Sequence, residues 1–152
     1  MNDASAAPLP AAVPAGFEPL QIGGPFMRFN GPLYVRQADG RTQLGFRVEA
    51  RHCNSADICH GGMMASFCDM LLPVCAHYQT PALAQRFLPT VSLQVDYLAP
   101  SLRGAWVQGQ AEVLRNAATL VFMQGLVTAD GQPVARASGI FKVGQVFKPP
   151  GG

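Results

Sequence analysis

One stretch of this 152-residue chain has the length and apolar content of a long helix: Gly61 to about Tyr78. Everything else with a repeating pattern alternates between apolar and polar residues, as half-buried strands do. Pro32–Gln37 and Thr42–Arg51 read as strands joined by a turn at Ala38-Asp39-Gly40. After the helix come Thr90–Leu98, Gly104–Arg115, Thr119–Ala129 and Pro133–Val143, with Asp130-Gly131-Gln132 as a hairpin turn. The order is therefore two strands, one helix, then four strands in a meander. One helix cannot cover both faces of an antiparallel sheet of six strands, but it can fill the concave face of a curved one. The fold expected is α+β, a curved antiparallel six-stranded sheet wrapped around one long central helix. Such a fold leaves an edge or a face for self-association.

The length suits one domain. Residues 1–29 read as a flexible Ala/Pro-rich lead that can hold a short helix, 30–146 as the folded domain and 147–152 as a tail. Hydrophobic residues make up 49% of the chain and charged residues 13%. That is enough apolar material for a sizeable core, and the scarcity of charge points to surface covered in an oligomer. The formal net charge is +2, and no basic run is interleaved with aromatics, so nucleic acid is not an expected partner. Asp3 stands where a signal peptide would carry a basic residue, and no apolar run is long enough to span a bilayer. Cys53, Cys59, Cys68 and Cys75 follow no disulfide-rich pattern. The chain is expected to be cytoplasmic, with reduced thiols and no membrane span.

The start of the helix is the chemically loaded region. His60-Gly61-Gly62 places two residues without side chains where a helix presents free N–H donors and the positive end of its dipole. That suits an anion or a polarised carbonyl oxygen. Asp69 lies seven residues beyond Gly62, in a segment otherwise made mainly of Met, Ala, Phe, Leu, Val and Cys. Two helical turns put both on one face, about 10 Å apart along the axis. Groups acting on one carbonyl must lie within about 3 Å of their targets, so these two would serve different sites in one chain. A two-fold dimer resolves the spacing by setting the glycines of one subunit against the Asp of the other. Pro73 has no N–H for the Asp69 carbonyl and is expected to bend the helix around the sheet.

This order of elements, with Asn54, His60-Gly61-Gly62 and Asp69, resembles the hotdog-fold thioesterases of the phenylacetate-degradation type, which hydrolyse acyl-coenzyme A thioesters. The resemblance covers roughly residues 30 to 143. Asn54 stands six residues before His60 and Asp69 nine after it, as in that family. Thr90 occupies the position of a small hydroxyl residue at a strand start, and Tyr97-Leu98-Ala99-Pro100 looks like the family's strand end. The segment from Leu114 to Leu120 looks like its basic hairpin. Asp57-Ile58 departs from the pattern, where a Gly followed by an apolar or aromatic residue is usual.

The resemblance implies a set of roles. Asp69 would be the general base that activates water, or the nucleophile. The Gly61 N–H would bind the oxyanion, with Gly62 beside it. Asn54, from the same subunit as Gly61, would position the thioester or the water. His60 would shape the loop and contact the thioester or leaving group. Thr90, from the subunit that supplies Asp69, would orient the water. The coenzyme A phosphates call for a basic mouth, for which Arg115, Asn116, Arg136 and Lys142 are candidates. No cofactor is required, since coenzyme A is part of the substrate, and the partner expected is a second copy of the chain, as a dimer or a dimer of dimers.

Two other functions share the fold. A non-catalytic acyl-CoA binder would have no use for a carboxylate in an apolar wall. A hydratase would carry an Asp and a His in a Gly-rich loop, which Asp57-Ile58-Cys59-His60 mimics only loosely. His52, Cys53, Cys59 and His60 match no familiar zinc spacing, so no metal is expected. A cysteine nucleophile at Cys59 or Cys68 has no base placed for it.

Overall fold

A computed structural model describes residues 12–147. The chain runs β1 (Glu18–Leu20), α1 (Gly24–Asn30), β2 (Leu33–Ala38), β3 (Arg41–Arg47), α2 (Gly61–Gln79), β4 (Thr90–Tyr97), β5 (Trp106–Asn116), β6 (Leu120–Ala129) and β7 (Gln132–Lys142). Short 3-10 turns at Ala50–His52 and Pro81–Leu83 flank α2. The strands form one antiparallel sheet in the order β1-β2-β3-β5-β6-β7-β4. The sheet has seven strands, one more than the sequence pattern suggests. The added strand, β1, spans only three residues, too few to alternate visibly, and is held by pairing with β2.

The segment before residue 30 holds the short helix expected there, but from Phe17 onward it is packed against the domain. Phe17 is buried with its ring edge-on to Trp106 at 5.0 Å, and Met27 of α1 joins the core. The parts of the expected lead and tail at 1–11 and 148–152 lie outside the described residues. The second strand ends at Arg47 rather than Arg51, because Ala50–His52 turns under a capping box between Glu49 and His52. The last four strands are not a meander either. β5, β6 and β7 are, but β4 crosses to the far side of β7 and becomes an edge of the sheet.

Helix α2 lies in the concave face. Its core side carries Met64, Phe67, Cys68, Leu71, Leu72 and Cys75, all buried. The sheet makes room where the helix comes closest. A Cβ on Gly109 would sit 2.5 Å from a Leu71 methyl, and one on Gly139 would sit 2.7 Å from a Leu72 methyl. Real Cβ atoms do not approach so closely, so the trough depends on residues without side chains. The helix runs through Pro73 to Gln79 without ending. No helix among the described residues is long and apolar enough to cross a membrane.

Strand β4 carries an irregularity at its start. Strict alternation would group Thr90 with Ser92, Gln94 and Asp96, away from the helix. A register shift between Thr90 and Ser92 breaks the alternation. Thr90 pairs with buried Phe141, just as Leu93, Val95 and Tyr97 pair with Gly139, Ala137 and Ala135 of the same face. The bulge therefore turns Thr90 toward α2.

Candidate active site

The loop from Cys53 to Cys59 is a tight reversal closed by Asn54 N–H to Ile58 carbonyl (2.9 Å) and His60 N–H to His52 carbonyl (2.8 Å). Asn54 Oδ1 accepts from Ala56 N–H at 2.9 Å, an Asx turn that fixes the side chain at the loop entrance. Asp57 closes the loop with φ 59, a conformation Asp tolerates better than most residues, and its carboxylate pairs with Arg103 at 3.0 Å.

His60 is the N-cap of α2. Its Nδ1 accepts from Gly62 N–H at 2.8 Å, so the ring proton sits on Nε2, which faces outward on an exposed residue. The Gly61 carbonyl accepts from the Tyr97 hydroxyl at 2.6 Å. The Gly61–Gly62 peptide is thus held at both ends. The Gly61 N–H, at the first helical position, has no intrahelical acceptor and points out of the helix start. A Cβ on Gly62 would come within 3.0 Å of His60 Nδ1, and one on Gly61 within 3.4 Å of the Tyr97 oxygen. A side chain at Gly62 would press on the His60 ring that caps the helix, whereas one at Gly61 would only touch Tyr97.

Asn54, Cys59, Gly61, Met64, Tyr97 and the turn after β4 line a groove of about 480 Å³. Asp69 is elsewhere. It is half-buried on α2, and its Oδ1 accepts from Thr90 Oγ1 at 2.6 Å. Eight residues separate it from Gly61, about 12 Å along the helix axis. The structure therefore places two separate polar clusters along α2. One consists of the free N–H, Asn54 and His60, and the other of the carboxylate and its hydroxyl.

The candidate phosphate ligands divide. Asn116, Val121, Phe141 and Thr90 form one row across β5, β6, β7 and β4, so Arg115 and Asn116 lie at the Thr90 end of the sheet. Lys142 lies there too, its N–H bonded to the Pro89 carbonyl at 2.9 Å. Arg136 does not join them. It projects from the sheet face opposite the helix, where its guanidinium bonds Asp96 at 2.7 Å.

Burial keeps the cysteines beside the site protonated, which disfavours them as nucleophiles toward an acyl carbonyl. Burial, and then the negative charge of Asp69, pushes the Cys68 thiol up to about 12, and burial pushes Cys59 up to about 11. His52 uses both ring nitrogens on backbone groups, Nδ1 accepting from Glu49 N–H at 3.0 Å and Nε2 meeting the Asn30 carbonyl at 2.7 Å. Tyr97 was missed as a site residue by sequence reasoning. Its alternation with Leu93 and Val95 reads as core, yet it is 55% exposed and its hydroxyl reaches the helix start.

Known proteins share the family and the fold of this chain. Residues 56–135 match the family model described as "Thioesterase superfamily". A Pseudomonas aeruginosa protein named "Putative esterase PA0474" is 28% identical over 131 residues, covering 85% of this chain and 96% of that protein. Among solved structures, thioesterase superfamily member 2 from Mus musculus superposes with a TM-score of 0.64 at 20% identity, over 78% of this chain and 87% of that one. The E. coli PaaI protein from the phenylacetic acid degradation operon gives 0.63 at 18%, over 72% and 82%. A hypothetical thioesterase from Streptococcus pneumoniae, solved with coenzyme A, gives 0.65 at 18%, over 80% and 98%. At these identities the structural likeness establishes the shared fold.

Proposed function

The chain belongs to the thioesterase superfamily, and from that premise we propose that it hydrolyses an acyl-coenzyme A thioester to the free acid and coenzyme A, at sites shared between two copies. The observation that carries this reading is the pair of incomplete half-sites. Strand β4 is an open edge with Thr90 at one end and Tyr97 at the other. An antiparallel two-fold pairing of β4 with its copy sets the Thr90 end of one protomer against the Tyr97 end of the other. That brings Asp69 and Thr90 of one chain to Gly61, Asn54 and His60 of its partner, twice per dimer. The edge carries exposed Val91, Tyr97 and, just beyond it, Leu98, at 59%, 55% and 53%. Apolar exposure of that size on an unpaired strand suits a covered surface.

In this site the thioester oxygen rests on the Gly61 N–H at the positive end of α2. The charge that develops on it in the tetrahedral intermediate is met without reorganisation, and one such donor contributes about 3 kcal/mol. Asp69 takes a proton from water, or attacks the carbonyl itself, while Thr90 fixes the orientation of its carboxylate. Asn54 positions the thioester or the water. The His60 Nε2–H reaches the thioester or leaving group, and its cap on Gly62 keeps the ring aimed. Coenzyme A leaves as the thiol. Arg115, Asn116 and Lys142, beside the Thr90 end, meet its phosphates, and the binding of coenzyme A by the Streptococcus pneumoniae relative supports that ligand class. Nothing in this sequence of steps calls for a cofactor.

The test is thiol release from a panel of aromatic and aliphatic acyl-CoAs, with wild type and Asp69→Ala side by side. Release by wild type that falls about a hundredfold or more in the variant supports the reading. Tight acyl-CoA binding with no release from any member of the panel would replace it with a binding protein on the same fold. Equal activity in both proteins would remove Asp69 from the mechanism.

A further inference from the structure

We propose that Cys53 and Cys59 are an oxidation site, a cross-strand thiol pair that a small-molecule disulfide converts to an intramolecular disulfide closing the Asn54 loop. The two residues are antiparallel bridge partners. The bonds Asn54 N–H to Ile58 carbonyl and His60 N–H to His52 carbonyl bracket them, so the pair occupies a non-hydrogen-bonded position. In that position the Cα atoms lie about 4.5 Å apart and both side chains project to one face. Disulfides span Cα separations of about 4.4–6.8 Å, so the backbone already satisfies the main constraint.

Each sulfur has only a long contact to release. Cys53 Sγ donates to the Glu49 carbonyl at 3.4 Å and Cys59 Sγ to the His60 carbonyl at 3.7 Å. Access orders the events. Cys53 is half-buried, whereas Cys59 is 9% exposed. The other two cysteines, Cys68 and Cys75, are fully buried on α2 and are not partners in any bridge of this loop.

The chemistry balances with one oxidant. Cys53 gives up its proton, and its thiolate attacks one sulfur of a disulfide RSSR, giving a Cys53–SR mixed disulfide and RS⁻. The departing RS⁻ takes the Cys59 proton to become RSH, the Cys59 sulfur attacks Cys53 Sγ, and the second RS⁻ is protonated by the proton that Cys53 released. Two protein thiols become one disulfide while RSSR is reduced to two thiols.

The bridge sits between two residues of the proposed chemistry, one position before Asn54 and one before His60. Opposed Cβ atoms in a sheet lie about 4.5–5.5 Å apart and a disulfide holds them at about 3.8 Å. At a non-hydrogen-bonded position the shorter spacing applies, so closure draws the two Cβ atoms together by less than about 1 Å and locks the two ends of the loop. A displacement of that size at a positioned group lowers turnover by about tenfold or more. This catalytic consequence rests on the thioesterase reading, whereas formation of the bond does not.

The experiment exposes the folded, reduced protein to glutathione disulfide, alkylates the remaining thiols and weighs the intact chain. Cleavage before Asp57 then separates Cys53 from Cys59 unless they are joined. Expected, after alkylation in denaturant, is a chain two hydrogens lighter before labelling that takes up two alkyl groups rather than four, a Cys53–Cys59 linked fragment pair, reversal by dithiothreitol, and no internal linkage in Cys53→Ser. Four fully alkylatable thiols, a persistent glutathione adduct on Cys53, or linkage to Cys68 would each overturn the proposal. Thiol release from the best acyl-CoA is read on the same samples. A crosslink that forms while turnover stays unchanged would overturn the regulatory consequence and leave the site, and the mass result stands whether or not the chain hydrolyses thioesters.

Discussion

Two variants that are each inactive should recover activity when mixed. Asp69→Asn removes the carboxylate from one half-site and Asn54→Ala removes the positioning amide from the other. Within one chain the Gly61 N–H and Asp69 are about 12 Å apart along a rigid helix, so no single chain assembles both around one carbonyl. Each homodimer of either variant then has two damaged sites and should run about a hundredfold or more below wild type. A hybrid dimer has one site with both substitutions and one with neither. Equal amounts of the two variants, randomly reassociated, give about half hybrids with one intact site in two, hence about a quarter of wild-type turnover per protomer. The assay is thiol release after subunit exchange, with hybrid content counted by native mass spectrometry of differently tagged variants. Hybrids present in the expected share, with activity no higher than either parent, would refute the shared-site argument.

Further outcomes follow from single contacts. Thr90→Val keeps the shape and deletes the 2.6 Å bond to Asp69, so kcat should fall about tenfold or more while KM moves little. A matched loss in KM would assign Thr90 to substrate binding instead. Tyr97→Phe leaves the Gly61 carbonyl without its donor. It should cost about 1 kcal/mol of stability by urea titration and lower kcat, whereas an unchanged kcat would make Tyr97 purely structural. Burial lowers the pKa of His52 below the ordinary histidine value, against the opposing pull of the Asn30 carbonyl. The neutral ring is therefore the folded form, and the unfolded chain takes up the proton first as pH falls. The stability it contributes is complete above about pH 6.5 and is lost as pH drops toward the lower folded value. Urea titrations across that window should show the slope in wild type and a shallower one in His52→Gln, and equal slopes would exclude His52 as its source.

Much of this protein is written locally in its chain. The helix from Gly61 and the strand patterns after it needed only apolar periodicity. The Asp-Gly pairs at 39–40 and 130–131 marked both tight hairpins, where all four residues have positive φ. His60-Gly61-Gly62 announces a helix start with accessible backbone, and the seven-residue step to Asp69 implies a second copy if both ends serve one reaction, because helix rise is the same in every sequence. Other features depend on partners distant in the chain. β1 is a strand because β2 offers it an edge, and β4 lies beside β7 rather than β5 because sheet order is set by how the chain packs over α2. Alternation alone sends Thr90 to the wrong face, and the bulge that returns it to Asp69 arises from pairing with β7. Tyr97 likewise reads as core until the fold carries its hydroxyl to the Gly61 carbonyl, 36 residues away in sequence. Periodicity and turn chemistry are properties of neighbouring residues and survive in the sequence. Register, edge and face are decided by contacts between segments, and only the tertiary structure supplies them.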